Sequence, residues 1–232
     1  PHQGAGGPAT WRIRSTDSLQ PGEQGGSLAI LVRPDIVWRV QRSEAGLRVL
    51  DREDRLVRDI RRPGQTPVQP TFSRQGDLAV SWEDNRVDWY RPDGETVVDR
   101  DFYGDIFCFS DDGRYLAASD GVSKLRVWNR EGERVAQFQL SAPANELCFS
   151  QDSKLLVVAA RDGLVHGYRV DEERRAWPPL ALQNPARWVY VQGNGKVVTM
   201  SDVVTVWESP ESLDSSLREP EELSREVARR TG

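Results

Sequence analysis

Cys108-Phe109-Ser110-Asp111-Asp112-Gly113-Arg114-Tyr115-Leu116 and Cys148-Phe149-Ser150-Gln151-Asp152-Ser153-Lys154-Leu155-Leu156 are two copies of one pattern, 40 residues apart. An earlier copy, Thr71-Phe72-Ser73-Arg74-Gln75-Gly76-Asp77-Leu78, lies 37 residues upstream. Fainter copies begin at Ile30 and at Tyr190. Each is followed by a short apolar run, a polar turn and an alternating segment that ends in a large residue. These segments are Leu47-Arg48-Val49-Leu50, Val87-Asp88-Trp89-Tyr90, Leu125-Arg126-Val127-Trp128, Val165-His166-Gly167-Tyr168 and Val204-Thr205-Val206-Trp207. Repetition at a fixed period near 40 residues is the signature of a stacked or radial repeat architecture.

Within a copy the apolar period is two rather than 3.6, the mark of strands. Hairpin signals separate them: Gly76-Asp77, Pro92-Asp93-Gly94, Asp112-Gly113, Asp120-Gly121, Glu131-Gly132, Asp162-Gly163 and Asn194-Gly195. Three turns per copy divide it into four strands of about five residues, as in a propeller blade. The expected fold is therefore all-β: a β-propeller of four-stranded antiparallel blades, about five full repeats with a partial N-terminal blade. A blade cannot bury both faces alone, so neighbours must stack on it.

The bulk properties agree. The chain has 232 residues with 31 Lys+Arg against 36 Asp+Glu, a formal charge of −5. Its pI near 5.3 argues against a nucleic-acid binder, and a mean hydropathy of −0.61 with no long apolar run argues against a membrane span. With 38% hydrophobic residues and 8 Trp, the chain can build a packed core. Two cysteines cannot staple a domain of this size. The first residues, from Pro1, carry no secretory leader pattern, so a cytoplasmic setting and an internal fragment are expected.

The Phe-Ser-x-Asp-Gly-Arg-x-Leu-Ala run at 109–117 and the strand ending Val127-Trp128-Asn129 resemble the WD-repeat proteins. That resemblance implies a β-propeller serving as an interaction platform, and it covers residues about 10–208. The family's Trp-Asp ending becomes Trp128-Asn129 and Trp207-Glu208, and Tyr90-Arg91, Tyr168-Arg169 and Leu50-Asp51 elsewhere. Its Gly-His signature is absent, while the turn aspartate persists as Asp84, Asp120, Asp162 and Asp202. The family's polar relay should thus be incomplete, leaving the repeats to apolar packing.

Residues 1–9 form an expected flexible segment, and 209–232 a tail with a short helix. There Pro220 sits in the first turn, acids lead, and Leu223 and Val227 lie at i, i+4. This tail resembles the region after the WD repeats of bacterial STAND-class signalling NTPases, which implies a sensor domain of a larger signalling protein. Thr10-Trp11-Arg12-Ile13-Arg14-Ser15 matches a third strand, and the fifth copy lacks a clear fourth. Either that strand closes the ring on the fifth copy, or further blades lie outside this chain.

No residue pattern points to catalysis, cofactor or metal. His166 sits in a strand at the solvent-facing place of Arg126, and Cys108 and Cys148 read as small apolar residues at equivalent places. The acids fall mostly in turns, and the Arg58, Arg61, Arg62, Arg174 and Arg175 clusters have acidic neighbours. Aromatics in inter-strand loops stand out: Trp82, Phe102, Tyr103 and Trp188, with Arg161 and Arg187 as accompanying cations. They are expected to share one rim and either to anchor another protein, or a neighbouring domain of the same polypeptide, or to fold back and plug the gap between irregular blades. A propeller enzyme of hydrolase or lactonase type, with its site at the central opening, and a structural cap between domains are the alternatives.

Overall fold

The structure, a computed structural model, describes residues 27–32, 37–43, 46–94, 96–97, 104 and 106–207. The expected N-terminal segment, the 10–15 strand and the 209–232 helix lie outside the described residues. The chain divides into two compact units, Pro1–Gly64 and Gln65–Gly232. Among the described residues there is no helix, and the strands form five small antiparallel sheets.

In the first unit, β1 (Ser27–Val32), β2 (Val37–Ser43), β3 (Gly46–Leu50) and β4 (Leu56–Arg61) pair in chain order. Strand β3 keeps the period of two, with Leu47 and Val49 buried and Arg48 exposed. Asp51 shapes the next turn: its Oδ1 accepts the N–H groups of Glu53 and Arg55, each at 2.9 Å. This is the Asx geometry that makes aspartate a turn residue.

The second unit holds four sheets, each built from one repeat. They are β5 (Pro67–Phe72), β6 (Leu78–Trp82), β7 (Val87–Tyr90) and β8 (Thr96–Val97); then β9 (Ile106–Phe109), β10 (Tyr115–Ser119), β11 (Lys124–Asn129) and β12 (Arg134–Gln139). The third is β13 (Ala144–Phe149), β14 (Leu155–Ala160), β15 (Leu164–Arg169) and β16 (Arg174–Ala181). The last has three strands among the described residues, β17 (Trp188–Val191), β18 (Val197–Met200) and β19 (Val204–Trp207).

Consecutive sheets of this unit pack face to face, so each has a forward face toward the next repeat and a backward face toward the previous one. Ala79, Val87 and Trp89 meet Phe107, Leu116, Ala118 and Trp128. Leu125, Val127, Ala136 and Phe138 meet Leu147, Phe149, Leu156, Val158 and Tyr168, with the Phe138 and Tyr168 rings stacked at 4.3 Å. Val157, Ala159, Val165 and Trp177 meet Val189, Val191 and Val197. Gly167 makes room in that layer, since a Cβ there would lie 2.2 Å from the Trp177 ring.

Two-sided packing corrects the reading of His166. It is not solvent-facing but 1% exposed, on the backward face of β15, its ring stacked 6.1 Å from that of Tyr168. In a sheet covered on both faces, alternation sorts residues between two interiors instead of between core and water. Desolvation holds its imidazole below the usual histidine pKa.

Candidate functional site

The aromatic and arginine positions separate once the strands are in place. Trp82 is corrected: expected on an exposed rim, it is fully buried as the last residue of β6. Its N–H donates to Arg86 O at 2.9 Å and its carbonyl accepts the Asn85 N–H at 2.8 Å, so the hairpin turn begins one residue later than the polar run implied. Phe102 and Tyr103 lie outside the described residues. Arg161 is exposed on the β14–β15 turn, where its N–H donates to Pro143 O at 2.9 Å. Arg187 is exposed too, and its N–H donates to Met200 O at 2.8 Å. Trp188 is exposed, but it opens strand β17 rather than sitting in a loop.

What surrounds Trp188 is the main feature of the surface. The registers Trp188↔Met200↔Val204 and Tyr190↔Val198↔Val206 line six apolar side chains in two cross-strand rows on the forward face of β17–β19. The alternate residues Val189, Val191 and Val197 enter the core on the other face. Val204 and Val206 occupy the repeat places of Leu125 and Val127. The latter pair is 0% exposed, whereas Val204 and Val206 are 63% and 52% exposed. Tyr190 is 60% exposed and Trp188 43%. Contiguous apolar surface of this kind marks an interaction site.

Beside this face, a polar cavity of about 530 Å³ is lined by Asn145, Asn184, Pro185, Arg187, Ser201 and Asp202. Side-chain amides shape it: Asn184 Nδ2 donates to Asp202 Oδ2 at 2.9 Å, and Asn145 Nδ2 to Ala186 O at 3.1 Å. An apolar floor next to such a rim is the usual layout of a protein-binding surface. Tyr190, Met200, Val204 and Val206 were not singled out by sequence. The available signal was the missing fourth strand of the fifth copy: among the described residues β19 pairs with β18 alone.

On strand β13, half-buried Glu146 has its carboxyl pushed up to about 7 by burial, opposed by the Leu147 N–H. Cys108 and Cys148 are free thiols, both raised by burial, Cys148 to about 11. They are neutral at physiological pH and poor nucleophiles. Among the described residues no group of three or more His, Cys, Asp or Glu is arranged to hold a metal ion. No helix among them is long and apolar enough to cross a membrane.

No protein-family model and no curated protein matches the chain. Among solved structures, the crystal structure of the computationally designed Ika8 protein is similar, with a TM-score of 0.66 and 17% identity over 82% of this chain. The chain spans 60% of that protein's length. At this identity the likeness bears on the fold alone.

Proposed function

We propose that the chain is a non-catalytic interaction platform, its repeat sheets forming blades of a WD-type β-propeller, and that its partner is another protein or a neighbouring domain of the same polypeptide. The observation that carries the reading is the forward face of β17–β19. Six of the eleven large exposed hydrophobics among the described residues, Trp188, Tyr190, Met200, Val203, Val204 and Val206, fall on that one sheet and its last turn. Aromatic side chains supply most of the energy in such interfaces, and a rigid sheet lowers the ordering cost of binding. Arg187 and the polar cavity beside the face provide the hydrogen-bonding rim.

Capture from an extract of the source cells on immobilised chain tests this. Trp188→Ala with Tyr190→Ala should lower the recovered partner by at least about tenfold while leaving the urea midpoint unchanged. Recovery equal to that of the unmodified chain would overturn the reading.

A further inference from the structure

The seam between the β9–β12 and β13–β16 sheets encloses the one histidine among the described residues. The ring of His166 stacks on that of Tyr168, and Phe138 of the preceding sheet stacks on Tyr168 in turn. Beside it, Ser141 of the β12–β13 connection donates its hydroxyl proton to Asp162 Oδ2. The hydroxyl oxygen is thereby left as an acceptor, 3.5 Å from His166 Nε2. This places the proton of the neutral imidazole on Nε2 and leaves Nδ1 a bare lone pair. Nδ1 is buried and has no hydrogen-bond partner.

A second proton can enter the ring only at Nδ1, where it makes a buried cationic N–H with no acceptor. Burial opposes that proton most, Arg175 of β16 opposes it next, and Asp162 in the β14–β15 turn favours it. The preceding sheet adds Phe138 and Leu140, both apolar, to the same core layer. Glu173, in the β15–β16 turn, is engaged by the Gln137 N–H at 3.0 Å. Ser141 and Asp162 are both exposed. Lifting the β12–β13 connection is therefore the shortest way to bring water to the imidazolium without parting the sheets. We propose that His166 is an acid-operated latch: protonation at Nδ1 frees residues 140–143, and with them the Arg161 turn, while the sheets on either side stay folded. The proposal goes beyond the platform reading and does not depend on it. A group that takes a proton less readily in the closed state than in the open one makes opening easier as the pH falls through its range. Above that range the latch stays shut.

Amide hydrogen exchange on the whole chain, corrected for the intrinsic pH dependence of exchange, reads the opening. Two amides report on it: the Leu140 N–H, which donates to Ser123 O at 2.7 Å, and the Arg161 N–H, which donates to Pro143 O at 2.9 Å. Between about pH 7.5 and 5 their protection should fall at least about threefold, while that of Val157 and Val158 in β14 holds. The fall should begin near the ordinary histidine range, about 6.5, and level off at the midpoint that NMR reads for the His166 imidazole. His166→Gln keeps an N–H donor but takes no proton, so its protection at both reporters should not change with pH. Glu146→Gln should leave the fall in place, since Glu146 gains its proton with the opposite effect on stability. An equal fall in His166→Gln, an equal loss at Val157 and Val158, or no fall at all would overturn the proposal. So would a His166 midpoint at or above the ordinary range, which the unmodified chain shows whether or not the variant folds.

Discussion

Glu146 shows how burial alone sets the charge of a side chain in this protein. Its carboxyl ionises near 4.5 in the unfolded chain and near 7 in the folded one. Between those values the native chain holds a proton that the unfolded chain has released. Stability therefore falls as the pH climbs through this window, and the loss is complete above it. Glu146→Gln removes the ionisable group without changing its size. Urea unfolding should show the variant more stable by about 1–3 kcal/mol at pH 8 and equal to the parent at pH 4. A gain of the same size at both pH values would assign the effect to packing instead of ionisation.

At the scale of elements, the Phe-Ser-x-Asp turn is a small hydrogen-bonded unit that also connects sheets. Ser110 Oγ donates to Asp112 Oδ1 at 2.7 Å and accepts the Tyr115 N–H at 2.9 Å. Ser150 repeats this with Asp152 and the Leu155 N–H. In the earlier copy the acid is Asp77, fully buried, held by Ser73 Oγ at 3.0 Å and by Arg130 Nη2 at 2.9 Å. Arg130 follows β11, so this pair ties the β5–β8 sheet to the β9–β12 sheet. Removing one partner of a buried pair costs about 3–5 kcal/mol, and the part-exposed Arg130 places the effect near the lower end. Arg130→Ala should cost about 3 kcal/mol by urea unfolding, and the double variant with Asp77→Asn should recover part of the loss. A cost below about 0.5 kcal/mol would mean that solvent already screens the pair.

For the molecule as a whole, the same repeat position has opposite consequences in different sheets. Val127 and Val206 share a place in the repeat, a strand type and a side chain, but only Val127 is covered. Burying an unpaired ammonium is far costlier than exposing one. Val127→Lys should therefore destabilise by more than about 4 kcal/mol, and Val206→Lys by less than about 0.5 kcal/mol, in thermal or urea unfolding. Equal losses at the two positions would show that the β17–β19 face is covered in solution.

The repeat register, the strand period and the turn chemistry were legible in the order of residues, because each depends on neighbours within a few positions. Alternation at Leu125 and Val127 and the glycines at Gly113 and Gly163, both with positive φ, are local facts. The sequence also shows that no alternating run follows Trp207 directly. Trp82 was misplaced because an aromatic beside Glu83-Asp84-Asn85 looks like part of the turn. His166 was misplaced because alternation alone cannot tell water from a second interior. Which face of each sheet is covered, and hence whether a valine is buried in the core or left exposed, depends on the sheet stacked against it. That is a long-range contact, and only the tertiary structure decides it.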